Sequence, residues 1–383
     1  MSQFLDYFRG QQQAMLDLLV EMIHYETFTK EKAMVDKLGA FVEDQFHRLG
    51  ASSVKTFSQT QVGDFKLARW NENAPGKPIM FLIHVDTVWP IGTLERLPVR
   101  YDDEGRIFGP GAVDMKGGIT VVLTALRGLL EQNQMPDRPI WVLMTSDEEV
   151  GSAYSETLIR DTAKHAGLVL VMEPGTKEGA LKMWRKGIAN YDMTIEGRAS
   201  HAGNAPEQGI NSIIEFAQQA LRINELNDLK HGTSVSVTMV NGGSATNVIP
   251  AHLTARIDTR MMSARAMEDI EKALTSLEPF IPGAKVTVEC EHSRPPMEFN
   301  SIMQGAFVQA KSIGEQIGLT VRADGSGGGS DGNFTAAMGI PTIDGMGPQG
   351  DGLHADHEQV VISSLPERAA LVAAMLRDWV MPA

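Results

Sequence analysis

The amino-acid sequence predicts an α/β protein with an inserted α+β unit, on three observations. Continuous apolar runs, PIMFLIHVDTV from position 78, IWVLMTSDEE from 140 and LVLVMEP from 168, alternate with helical patterns. Such runs suit strands covered on both faces of a sheet. Each run ends in an acid or a histidine–acid pair, and in α/β folds ligands sit beyond the carboxyl ends of strands. From residue 187 the pattern changes to period-two alternation, in the order strand, helix, strand, strand, helix, strand.

The elements follow in order. Apolar residues at Met15, Leu18, Leu19, Met22 and Ile23, then at Val35, Leu38, Val42, Phe46 and Leu49, predict two helices in the first 50 residues. Gly50 suits the end of the second. An alternating stretch covers 54–70 and leads into the turn-like NENAPG. The buried strand from 78 is followed by an apolar-faced helix over 119–130. The strand from 140 precedes a helix over 158–166, and the third buried strand begins at 168. Alternation at 188–195, 234–239, 253–259 and 285–291, with helices over 209–221 and 264–277, gives the split βαβ order of a ferredoxin-like unit. A helix over 300–316, a strand over 341–346 and a terminal helix over 365–379, with Pro366 in its first turn, complete the chain. The predicted domains are 1–186 with 298–383, and an insert over 187–297.

Bulk properties exclude several function classes. A chain of 383 residues with 43% hydrophobic content can bury a large core. The formal charge of −14, with no basic tract interleaved with aromatics, argues against nucleic-acid binding. The single cysteine, Cys290, excludes an internal disulfide and a thiolate metal cluster, and its alternating run makes it a strand residue. No secretory signal is visible in MSQFLDYFRGQQQ, and no uncharged run of about 18 apolar residues suggests a membrane span. A cytoplasmic protein is expected.

The chemistry lies in His84-Val-Asp86, Asp114, Asp147-Glu148-Glu149, Glu173 and His354. Buried acids are costly unless paired, and a pair of divalent cations would neutralise them. Period-two spacing puts His84 and Asp86 on one strand face, so Asp86 can orient a metal-bound His84. Asp114 lies in the glycine-rich FGPGAVDMKGG, which lacks the spacing and ending of a phosphate loop. A turn after the strand would bring Glu148 and Glu149 to one cavity, one binding metal and the other moving a proton. His354 and His357, in GDGLHADHE, compete for one ligand position. There is no H-E-x-x-H, and no G-x-S-x-G around Ser152.

The segments HVDTVWP, GPGAVDMKGG, TSDEEVGS, VMEPG, RASHAGNAPEQG, TNVIP, GGGSDGNF and GLHADHE together resemble the M20 metallopeptidase family, within it the glutamate carboxypeptidases. That resemblance implies a zinc-exopeptidase-like catalytic domain, a mixed sheet with helices on both faces, carrying a lid used for dimerisation. It implies two Zn²⁺ ions, with Co²⁺ or Mn²⁺ as substitutes. His84 and Glu173 would hold one ion, Glu149 and His354 the other, and Asp114 would bridge them. Glu148 would act as general base then acid, with Asp86 supporting His84. His201 would hold the scissile carbonyl oxygen. Asn247 and Arg260 would meet a substrate carboxylate, and Gly328 and Gly329 would line the pocket. The expected substrate is a peptide or N-acyl amino acid with a free carboxylate, releasing glutamate. An N-acyl amino acid deacylase of the acetylornithine or succinyl-diaminopimelate type, or a di/tripeptidase, is the alternative. A homodimer through the lid is expected.

Overall fold

A computed structural model of the protein describes residues 3–381. The chain divides into two compact units. The first comprises the chain up to Trp184, Phe299–Ser326 and the chain from Ser330 onward; the second comprises Arg185–Glu298 with Gly327–Gly329.

The first unit is built on a six-stranded mixed sheet. Its order is Ser53–Phe57, Phe65–Trp70, Ile140–Thr145, Ile79–His84, Leu168–Val171, Thr342–Ile343. The last four strands are parallel, and the first two form an antiparallel hairpin at one edge. All six residues of Ile79–His84 are buried, as its unbroken apolar character requires. Met80, Leu82, Leu143, Val169 and Val171 pack with Ile159, Ala163 and Phe334 from helices on one face. Ile79, Phe81 and Ile83 point the other way and are also buried, so both faces are covered. Each such side chain contributes about 1.5–3 kcal/mol by leaving water.

Register decides where the chemistry falls. His84 is the partner of Thr145, and Leu82 is the partner of Val171. Two residues beyond Val171, Glu173 therefore comes level with His84, and 147–149 lie just past Thr145. The buried helix Gly117–Glu131 starts against this rim. A Cβ on Gly118 would lie 2.0 Å from the Met172 carbonyl oxygen, so only glycine permits this approach. We predict that Gly118→Ala costs about 1–3 kcal/mol through forced backbone movement. A thermal melt with unchanged Tm would contradict this.

Two features depart from the sequence reading. The described residues among the first 50 form three helices, Gln3–Arg9, Gln12–Ile23 and Lys32–Arg48. The additional short one is held by burial of Phe4, Leu5 and Phe8. A four-stranded sheet in the order Gly350–Asp351, Gln359–Val361, Arg106–Phe108, Arg100–Tyr101 also appears. Its strands are two or three residues long, too short to show a period. It sets Gln359 opposite Phe108, which brings the His354 loop beside the Asp114 loop.

The second unit has the sheet order Ser234–Gly242, His252–Met261, Gly187–Glu196, Lys285–Arg294, antiparallel throughout. With the helices Ser212–Asn224 and Ala264–Thr275, this is the ferredoxin-like arrangement. Asn211 and Ser263 cap the two helices through side-chain oxygens. The core gathers Tyr191, Met193, Ile195, Ile223, Ile257 and Leu274. Cys290 lies on the outer strand, exposed and unpaired.

Candidate metal centre

His84 closes its strand with a buried ring. Its Nδ1 lies 3.1 Å from the Asp86 carbonyl and 3.3 Å from Asp86 Oδ1. In a neutral ring, donation from Nδ1 would leave the Nε2 lone pair facing the rim, free for a cation. There Nε2 is 3.2 Å from Asp114 Oδ1 and 3.2 Å from Glu173 Oε1. The other Asp114 oxygen, Oδ2, is 3.3 Å from His354 Nε2, which is 3.1 Å from Glu149 Oε2. One carboxylate thus faces two histidines, one oxygen to each. Glu148 belongs to the same cluster, since atoms of His84, Glu148 and Glu173 lie within 4.8 Å of one another.

Local backbone explains these positions. Glu148 and Glu149 open a 3-10 turn that ends at Gly151, whose φ of +95° suits glycine. Asp147 turns away, accepting from the Tyr154 and Ser155 N–H groups at 2.9 and 3.0 Å, so it holds the turn rather than the cluster. His354 has a φ of +60°, unusual for a non-glycine residue and common at functional sites. It is His354 that meets the acids; among the described residues His357 makes no ion pair with them. Asp86 Oδ2 accepts from Thr29 Oγ1 at 2.8 Å and from the Glu149 N–H at 3.3 Å.

The electrostatics are those of acids and imidazoles forced together. Burial alone would lower the His84 pKa, but Asp114, Asp86 and Glu173 hold it well above the ordinary value. Asp114 and Glu149 raise His354 to about 11. Burial and the Asp114 charge push Glu149 and Glu173 up. Asp114 itself is lowered: its two histidine partners outweigh burial, the largest single influence. Asp114 Oδ1 and Glu149 Oε1 are buried without a hydrogen-bond partner. For Asp114 Oδ1 this coexists with an imidazole nitrogen 3.2 Å away, so the two are close without the alignment of a hydrogen bond. A cation between them would satisfy both, and the oxygen- and nitrogen-rich donor set suits divalent zinc-like ions.

The remaining residues expected from the sequence lie in the second unit. His201 Nδ1 accepts from the Gly203 and Asn204 N–H groups, each at 3.1 Å. The Asn247 carbonyl accepts from the N–H of Ala202. Arg260 makes a two-pronged pair with Asp258, at 2.9 and 2.8 Å. The Gly328 and Gly329 carbonyls accept from Arg185 Nη1, both at 3.2 Å. A separate cavity of about 760 Å³ lies where the parallel strands begin, and no acid or histidine lines it.

Sequence reasoning missed two residues that shape the cluster. Thr29 left no signal. Glu358 precedes the apolar pair of QVV and is buried; burial and the Asp114 charge push its carboxyl up to about 7. The acid-beside-an-apolar-run rule that singled out Glu173 also covers Glu358.

Residues 80–378 match the description "Peptidase family M20/M25/M40". The chain belongs to this family. It is therefore an M20 hydrolase, a metallopeptidase or amidohydrolase, as the acid–histidine cluster suits. The M20 chain is 32% identical to carboxypeptidase G2 of Pseudomonas sp. strain RS-16, over 96% of its length and 90% of that protein. It is 26% identical to the succinyl-diaminopimelate desuccinylase of Halorhodospira halophila, over 97% and 99%. The aminopeptidase PepT of Bacillus cereus shares the fold at a TM-score of 0.74, with 24% identity, over 96% of this chain and 98% of that one. Among the described residues, no helix is long and apolar enough to cross a membrane.

Proposed function

We propose that the M20 chain is a dizinc exopeptidase that releases a C-terminal amino acid, glutamate foremost, from small peptides or N-acyl amino acids. The observation that carries the reading is Asp114, whose two oxygens face two different histidines at 3.2 and 3.3 Å. His84 and Glu173 would hold one ion, Glu149 and His354 the other, with Asp114 shared. Co²⁺ or Mn²⁺ would fit the same donors. The ions would acidify a water and polarise the scissile carbonyl. Glu148 would take the proton from that water and return it to the departing amine. Asp86 would keep His84 in the tautomer that presents Nε2.

His201 accepts two backbone N–H bonds at Nδ1, so its neutral ring carries the proton on Nε2. That N–H is suited to an oxyanion. Asn247 and Arg260 would receive the substrate carboxylate. Asp258 occupies the Nε–Nη2 edge of Arg260 and aims the guanidinium, leaving the Nη1 side for substrate. Gly328 and Gly329 give their carbonyls to Arg185, which narrows their part in a pocket wall to other groups. A homodimer would form through the second unit, whose outer strand Ser234–Gly242 leaves Met239 63% and Val240 56% exposed. A cytoplasmic location accompanies the reading, and the single unpaired cysteine fits a reducing compartment.

Glutamate is favoured by the likeness to carboxypeptidase G2. The desuccinylase relatives support a second reading, an N-acyl amino acid deacylase on the same metal core. The test is parallel hydrolysis of N-acetylglutamate, α- and γ-linked glutamyl peptides ending in glutamate, aspartyl peptides, N-acetylornithine and N-succinyl-diaminopimelate. We expect glutamate release to have the highest kcat/KM. If no glutamate-terminated substrate is cleaved, the lead reading fails; turnover of the succinylated compound alone would establish the second.

A further inference from the structure

We propose that Glu358 is a positioning residue for the metal centre, one carboxylate tying together three loops that carry ligands. The inference rests on the metal-centre reading above and adds a residue outside its ligand set.

Glu358 Oε1 accepts from the N–H groups of Val113 and Asp114, at 2.9 and 3.1 Å. Oε2 accepts from the Gly111 N–H at 2.9 Å and from Trp89 Nε1 at 2.7 Å. The Glu358 carbonyl also accepts from the Gly109 N–H. Trp89 lies five residues beyond His84, and Glu358 four beyond His354. The carboxylate therefore joins the His84 loop, the Asp114 loop and its own His354 loop. It is 3% exposed, so these bonds form with little competition from water.

Four donors on two oxygens is a task only a carboxylate performs. A glutamine of the same shape keeps one oxygen, and its NH₂ group would face two N–H donors. One of the four donors is the N–H of Asp114 itself, whose side chain must present an oxygen to each histidine. A small displacement there changes both metal positions at once. Residues that orient metal ligands are worth about 10–100-fold in metal affinity.

The test uses metal-free wild type, Glu358→Gln and Trp89→Phe. Each is titrated with Zn²⁺ and Co²⁺ against a chelator of known affinity. The visible spectrum of the Co²⁺ form and the thermal melt of the metal-free protein are recorded alongside. We expect Glu358→Gln to weaken metal binding about 10–100-fold and shift the Co²⁺ bands, with excess Zn²⁺ restoring occupancy. Trp89→Phe, which removes one donor of the four, weakens it less. A Glu358→Gln protein with lower Tm but wild-type affinity and spectrum has lost stability only, and overturns the proposal. If Glu358→Gln does not fold, Trp89→Phe decides: weaker binding supports the proposal, and unchanged affinity and spectrum overturn it. Wild type that takes up no divalent ion defeats the metal reading and this inference with it. Tight binding by wild type and variant alike defeats the positioning role alone.

Discussion

Glu148→Gln keeps the bound metal and loses about 10²–10⁴-fold in kcat, the usual contribution of a positioned acid–base group. The substitution preserves the size of the side chain and removes its capacity to accept a proton. Glu148 and Glu149 are adjacent in one 3-10 turn, and the Glu149 side chain reaches His354 at 3.1 Å, as the ligand role proposed for Glu149 requires. Glu148 lies close enough to His84 and Glu173 to serve as a ligand as well. The variant separates the two roles. Metal content by elemental analysis should stay at the wild-type value, and KM should change far less than kcat. A variant that loses an ion would make Glu148 a ligand, and one with normal turnover would remove it from the proton path.

What the sequence made legible follows the strength of local signals. The parallel strands were readable because their apolar runs are continuous, and their terminal acids stood out because burying charge is costly. The ferredoxin-like unit was readable because each strand of Gly187–Glu196 and His252–Met261 alternates cleanly between buried and partly exposed positions. The short sheet that pairs Gln359 with Phe108 was not, since two or three residues carry no period. That sheet brings His354 to Asp114, so the pairing of the two halves of the centre is a long-range fact. Before the resemblance, the choice between His354 and His357 stayed open for the same reason. In the structure Gly352 at φ +78° and His354 at φ +60° turn the chain, and it is the His354 ring that lies beside Asp114 and Glu149. Thr29 works by a hydrogen bond to a residue 57 positions away, which no local pattern encodes, and Glu358 carries a local cue but finds its Trp89 partner 269 positions away.

Asp114→Asn reduces bound metal from about two ions per chain to one or fewer and abolishes turnover, because a shared carboxylate holds paired ions roughly 3.5–4 Å apart. Asparagine offers one oxygen and one NH₂ group. If the oxygen faces His84, a donor faces His354, and the reverse orientation exchanges the loss. At best one position survives, with one less negative charge to offset the cations. The effect has a reading independent of activity. A ligand that binds only the folded state stabilises by about 2.7 kcal/mol per site at a hundred times its Kd. Adding Zn²⁺ to metal-free wild type should therefore raise Tm in two saturable steps or one larger one, and a chelator should reverse it. In Asp114→Asn that rise should fall by half or more. Two ions bound with wild-type affinity in this variant would show that His84 and His354 serve separate sites, and Asp114 would lose its bridging role.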